Sequence, residues 1–178
     1  MLTLSIETNG RTMMGITPSD LVQLQDDLCT PLAAYGTNCG LGAAEVIAGI
    51  INMKQAADLA NIKPILVAKG NCGIPEWIDG KICYSGTPEL MAIYTKMAID
   101  SGARIIGGCC GTSPKHVAEM RKVIDSHEKG DTPDLARIES ELGVITSGAK
   151  AQMGGDLTIA GGAAGPGHKA SGRSRRRR

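Results

Sequence analysis

Two cysteines stand side by side in the run Gly107-Gly108-Cys109-Cys110-Gly111-Thr112. Neighbouring Cα atoms lie about 3.8 Å apart, which disfavours a disulfide within the pair. Two thiolates on one glycine-rich turn can instead converge on a metal ion. A catalytic zinc site takes three protein ligands and keeps a fourth position open. Cys39, in Asn38-Cys39-Gly40, supplies the third thiolate. It lies 109 − 39 = 70 residues upstream, too far for a local zinc finger and suited to a site assembled by the fold. Cys72, in Gly70-Asn71-Cys72-Gly73-Ile74-Pro75, reads either as a fourth ligand that closes the site or as a small residue lining it. A single buried cysteine is as well explained as a small hydrophobe. The argument for a metal rests on Cys39, Cys109 and Cys110 together.

Those positions gain meaning from the elements around them. Leu2 to Ile6 alternates as a short strand, and Thr17-Pro18-Ser19-Asp20 opens a helix that runs to about Leu28. Thr is a good N-cap, Pro suits the first helical position, and an early Asp complements the helix dipole. Leu32 to Tyr35 reads as a strand with a loop over 36–40, followed by a helix from Ala43 to about Ala57. The apolar run Ile65 to Ala68 is a third strand, and 76–86 a long loop holding Trp77 and Tyr84. A helix opened by Thr87-Pro88 ends at Gly102, a strand covers Arg104 to Ile106, and Ser113-Pro114 opens a helix to Ser126. Strand and helix alternate four times, and the strands are apolar on both faces, which implies a parallel sheet covered by helices. In such folds chemistry gathers at the C-terminal ends of strands. Cys39, Cys72, Cys109 and Cys110 all fall there; Cys29 and Cys83 do not.

Three regions follow: βα units over 1–130, a helical extension over 131–146, and a Gly/Ala-rich, arginine-ending tail over 147–178 that is expected to be disordered. The 178 residues are 42% hydrophobic but contain no Phe, so the core must be built from aliphatic residues and Met. A net charge of +1 argues against recognition of nucleic acid by the whole surface. The terminal arginines, Arg173 to Arg178, are a local exception with no accompanying reader motif. No apolar run reaches the roughly 18 residues of a membrane span. The cysteines sit in periodic segments rather than in a small disulfide scaffold, so a reducing, cytoplasmic setting is expected.

Taken together, Asn38-Cys39-Gly40, Gly70 to Pro75 and Gly107 to Thr112 resemble the three C-terminal motifs of the zinc-dependent homocysteine S-methyltransferases. The segment Leu2 to Gly15 is similar to the fifth-strand region of the bacterial betaine-homocysteine type. The resemblance covers about Leu2 to Ser126. It implies βα units five to eight, the C-terminal half of a (βα)8 TIM barrel. It also implies Cys39, Cys109 and Cys110 as ligands of Zn2+, with Asn38, Asn71, Cys72 and Gly73 near bound substrate. The implied reaction moves a methyl group from betaine or a similar donor to the homocysteine thiolate, giving methionine. The barrel's first half has no counterpart here, so a truncated chain is expected, with a zinc-binding but inactive half-barrel as the alternative. Exposed barrel edges would let two copies associate. Asn38 and Asn71 read either as orienting ligand or the zinc-binding loops or, equally well, as turn residues tolerant of unusual backbone angles, and Trp77 and Tyr84 either cover the pocket or simply pack. His116 reads as a first-turn surface residue.

Overall fold

The computed structural model describes residues 1–156. Four strands, β1 (Leu2–Leu4), β2 (Tyr35–Cys39), β3 (Leu66–Gly70) and β6 (Ala103–Gly108), form one sheet in the order β1-β2-β3-β6. Every pairing in it is parallel. Helices α1 (Pro18–Asp27), α2 (Ala43–Leu59), α3 (Pro88–Asp100) and α4 (Pro114–Ser126) follow the four strands in turn. This is an α/β fold of alternating strand and helix, as the apolar strands and proline-opened helices indicate. The Thr87 side chain caps α3 by accepting from the Leu90 amide at 3.3 Å. Thr17 and Asp20 cap the start of α1 reciprocally, with the Thr17 amide donating to Asp20 Oδ2 at 2.7 Å and the Asp20 amide to Thr17 Oγ1 at 3.1 Å.

The core is aliphatic. Ile47, Ile50 and Met53 of α2, Leu66 and Ala68 of β3, and Met91 and Met97 of α3 are buried, with Tyr35 and Tyr94 as its large aromatics. The middle helix α2 packs against β2, β3, α1 and α3 and also against two further helices, α5 (Leu135–Leu142) and α6 (Ser147–Met153). It is therefore covered round most of its circumference, polar Glu45 and Asn52 included. Among the described residues no helix is long and apolar enough to cross a membrane.

Three features depart from the sequence expectation. The second strand is Tyr35–Cys39 rather than 32–35. Gly36 and Asn38 are poor strand formers, but this strand pairs on both sides, with β1 and β3, and that pairing outweighs local propensity. The long loop contains an antiparallel hairpin, β4 (Pro75–Ile78) and β5 (Lys81–Tyr84). Asp79 and Gly80 turn it with φ of 49° and 77°, the backbone signature of a tight two-residue hairpin turn. The third departure is α6. Residues 147–153 were expected to be disordered and instead form a helix with Gly148, Ala149 and Gln152 buried. Small residues let it lie close: a Cβ on Gly148 would come within 2.3 Å of Asn9 O. Residues 157–178, with the arginines, lie outside the described residues.

Candidate metal centre

Sheet register sets up the site. Cys39 pairs with Gly70, and Gly70 pairs with Gly108, so the last residues of β2, β3 and β6 form a row. Strands two apart lie roughly 9–10 Å from each other, yet Cys39 and Cys109 have their Cα atoms 5.7 Å apart. The two loops achieve this by curling over the end of β3. Cys109 N donates to Gly70 O at 2.8 Å, and Cys39 leaves the strand with a left-handed φ of 54°.

Three sulfurs meet there. The ligand atoms of Cys39, Cys109 and Cys110 all lie within 4.8 Å of one another. Cys110 Sγ is 4.0 Å from Cys39 Sγ and 3.9 Å from Cys109 Sγ. Two ligands 2.3 Å from a tetrahedral zinc are separated by roughly 3.8 Å, so both of these separations suit a shared cation. Cys39 and Cys109 are themselves in disulfide contact, a pairing the sequence reading did not expect. A disulfide accounts for two of the sulfurs. It does not account for the third, which stands nearly equidistant from both. With Cys39 and Cys109 reduced, the donor set becomes three soft thiols from two loops, which fits zinc and leaves a position for one more ligand.

Cys72 is placed differently. It is buried, and its thiol donates to Gly86 O at 3.1 Å. Burial pushes its pKa up, which favours the neutral thiol. It is not among the clustered ligand atoms. Its backbone ties the site together instead: Cys72 N donates to Cys110 O at 2.9 Å, and Gly86 N donates to Cys72 O at 3.1 Å.

Asn71 holds the two cysteine loops in relation to each other. Its Nδ2 donates to Gly40 O at 3.1 Å, and its Oδ1 accepts from Cys110 N at 3.1 Å. The side chain is 3% exposed, so both polar atoms are committed to backbone partners. Asn38 is half-buried, and its Nδ2 donates to Ser5 Oγ at 3.1 Å, linking the ends of β2 and β1. Gly73 takes a φ of 84° where the chain enters the hairpin. His116 is more than a surface residue. Its Nδ1 accepts from Ser113 N at 3.0 Å, and its Nε2 lies 3.3 Å from Gly86 O. One tautomer, protonated on Nε2, satisfies both contacts.

The hairpin contributes a residue that sequence reasoning left undecided between covering the pocket and packing. Tyr84, at the end of β5, lies against Gly111, where an added Cβ would fall 2.5 Å from Tyr84 Cγ. Its phenol is pushed above its ordinary value, first by a hydrogen bond with the Cys110 side chain, then by desolvation and the Cys110 charge. Trp77, on the same hairpin, is 74% exposed. Neither residue lies in a motif with the cysteines, so the hairpin register is what reveals the difference between them.

Residues 1–124 match the family model described as homocysteine S-methyltransferase. The chain belongs to the homocysteine S-methyltransferase family. The matched span contains the four strands of the sheet, the first three helices, most of α4 and all three clustered cysteines.

Proposed function

We propose that this chain carries the thiol-binding metal centre of a homocysteine S-methyltransferase and acts in methyl transfer from betaine or a similar cationic donor to homocysteine. The observation that carries the reading is the convergence of Cys39, Cys109 and Cys110 within a family member. Cys39, Cys109 and Cys110 would hold Zn2+, which would lower the pKa of an incoming thiol so that it is ionised yet nucleophilic near neutral pH. The chain's own part is positioning. Asn71 fixes the spacing of the two cysteine loops, and Gly70 anchors Cys109. Attack of a thiolate on a methyl group bonded to a positively charged atom breaks that bond and neutralises the donor, and the step moves no proton. The described histidines agree with this. His116 is engaged with Ser113 and Gly86, and His127 with Asp100.

The parallel sheet with β1 and β6 at its edges supports reading the four βα units as half of a (βα)8 barrel. On that reading the substrate pocket draws walls from four further units. Asn38, Cys72 and Gly73 stand near the pocket floor, and the cytoplasm is the expected setting.

The test is zinc content per chain in the reduced protein, with Cys109→Ala as control, followed by methyl transfer from betaine to homocysteine. Zinc near one per chain that is lost in the variant, together with turnover, is the expected outcome. Zinc without turnover would favour an inactive zinc-binding half-barrel, and absence of zinc would overturn the reading.

A further inference from the structure

A cleft of about 350 Å³ opens between α2, the turn from α3 into β6 and the segment after α4. Its size falls within the roughly 300–1,000 Å³ of small-molecule sites. Lys54, Gln55 and Asp58 line it from the second half of α2, Ser101 from the end of α3, and Lys129 and Thr132 from the segment between α4 and α5. Ser101 precedes β6 and Cys109 follows it, so the length of that strand separates the cleft from the cysteines. The walls are held in place. The Lys54 stem crosses Gly102, where an added Cβ would stand 3.8 Å from Cδ. Gly130 N donates to Asp100 Oδ1 at 2.7 Å, and Thr132 Oγ1 donates to the Asp100 carbonyl at 3.4 Å. These two bonds tether the stretch that carries Lys129 to the end of α3. Polar groups in the lining nevertheless lack partners. Ser101 is 2% exposed, and its Oγ has no hydrogen-bond partner among the described residues. Gln55 Nε2 donates to Met153 O at 3.3 Å, which orients the amide and leaves its buried Oε1 without a donor. Lys54 is engaged with both carboxylate oxygens of Asp58, while Lys129 is in no ion pair among the described residues. Buried polar groups are as a rule hydrogen-bonded, and two in the wall of one cleft are not.

We infer that this cleft binds a small oxyanion carrying its own hydroxyl, as inorganic hydrogen phosphate or a hydroxylated phosphate monoester does. Two lysines against one aspartate leave the lining with an excess of positive charge. An anionic oxygen suits the Lys129 ammonium and the Ser101 hydroxyl, which turns toward a partner by rotation about a single bond. The Gln55 carbonyl requires a donor. Hydrogen phosphate supplies one near neutral pH and sulfate does not. Asp58 acts in the same direction, since its carboxylate repels an anion that has no proton to offer. A cation would face two ammonium groups, and an apolar ligand would leave Ser101 and Gln55 unpaired. The cleft shares no residue with the cysteine cluster, so the inference stands apart from the metal reading.

The experiment uses the full chain, reduced and in phosphate-free buffer, as parent, Ser101→Ala and Lys129→Gln. Inorganic phosphate, glycerol 3-phosphate and sulfate are added at matched ionic strength, and melting temperature and heat of binding are read. Phosphate or its monoester should raise the parent's melting temperature, as a ligand bound only by the folded state does. Sulfate should bind about 10-fold more weakly, the weight of one hydrogen bond to a charged ligand. Lys129→Gln should weaken phosphate by roughly the same factor. Ser101→Ala should melt no lower than the parent without ligand, because its hydroxyl has no partner to lose, and should gain less from phosphate. Tighter binding of free phosphate would identify the ion itself as the ligand, and tighter binding of glycerol 3-phosphate an organic phosphate. A parent that responds to neither phosphate would overturn the inference. Equal responses to phosphate and sulfate that both variants retain would also overturn it, and would place the anion on exposed charge such as Arg173 to Arg178.

Discussion

The Cys110 amide donates a 3.1 Å hydrogen bond to Asn71 Oδ1, so the loop after β6 takes its position from a side chain on the loop after β3. Asn71 Nδ2 reaches the other way, to Gly40 O beside Cys39. One buried amide therefore fixes the separation of two cysteine-bearing turns that are 71 residues apart in the chain. An amide can do this because it carries a donor and an acceptor on one rigid plane. A carboxylate in its place would lack the donor for Gly40 O.

Asn71→Ala should therefore loosen the centre without removing a sulfur. It removes the side-chain partner of two part-buried backbone groups, the Gly40 carbonyl and the Cys110 N–H, at about 0.5–1.5 kcal/mol for each bond. Metal affinity should fall by roughly 10-fold, as for other outer partners of metal ligands. Chemical unfolding of the reduced chain and zinc competition with a chelator are the two measurements. Lower stability with unchanged affinity would mean that the sulfurs hold their places without the bracket.

Cys72 and Cys110 should separate cleanly in a zinc assay. Cys110→Ala removes one of the three clustered sulfurs, so zinc per chain should fall to background. Cys72→Ala removes a thiol that faces Gly86 O and should leave zinc near the parental level. Its effect should appear in stability, because the Gly86 carbonyl loses a donor within the site's scaffold. Loss of zinc in the Cys72 variant would make it a ligand after all.

Much of this arrangement was legible before any coordinates. Glycine-flanked cysteines at strand ends, with strands implied by apolar runs such as Ile65 to Ala68, suffice to gather Cys39, Cys109 and Cys110. What was not legible depended on pairing. Gly36-Thr37-Asn38 looks like a loop until β1 and β3 flank it, and the hairpin over 75–84 lacks a simple alternating pattern. Tyr84's relation to Cys110 depends on that hairpin's register. Helix α6 was hidden by composition: Ser147 to Met153 offers little apolar surface, but its small residues fit closely against the turn after β1. The sequence also gave no sign of the Cys39–Cys109 disulfide contact, because spacing alone does not distinguish a shared metal from a bonded pair.

Glu45 makes stability depend on pH. It is 2% exposed in the first turn of α2, and its Oε1 accepts from Thr146 N at 2.9 Å. Desolvation raises its pKa above the ordinary 4.5, opposed by the Thr146 hydrogen bonds and the Lys150 charge. A group held above its unfolded value favours the fold fully below that value, and the contribution is lost as pH rises through the folded pKa. Stability linked to Glu45 should thus decline from about pH 4.5 upward. Glu45→Gln keeps an acceptor for Thr146 N and does not ionise, so its melting temperature should fall less than the parent's over that range. Parallel curves for the two proteins would show that Glu45 ionises in the fold without cost.

Asp100 governs how the C-terminal helices are attached. The last residue of α3, it has a side chain only 3% exposed. Its Oδ1 accepts from Gly130 N at 2.7 Å and lies 2.8 Å from His127 Nε2, while Arg137 Nη1 stands 3.7 Å from Oδ2. Thr132 Oγ1 adds a 3.4 Å bond to the Asp100 carbonyl. These partners span the connection from α4 into α5, so one carboxylate organises the turn from which α5 and α6 depart. Asp100→Ala strips that turn of its acceptor, at a cost of about 1.5–3 kcal/mol for a hydrogen bond to a charged group. Ile138, Leu142 and Ile145 still bury against the core, so the helices should remain docked but open more often. Amide hydrogen exchange should accelerate over 127–153 and stay slow in β3 and β6. Since α6 touches the turn after β1, where Gln152 Nε2 donates to Gly10 O at 3.3 Å, residues 8–10 should also exchange faster. Faster exchange spread evenly over the whole sheet would instead place Asp100 in the global stability of the fold rather than in the attachment of its last two helices.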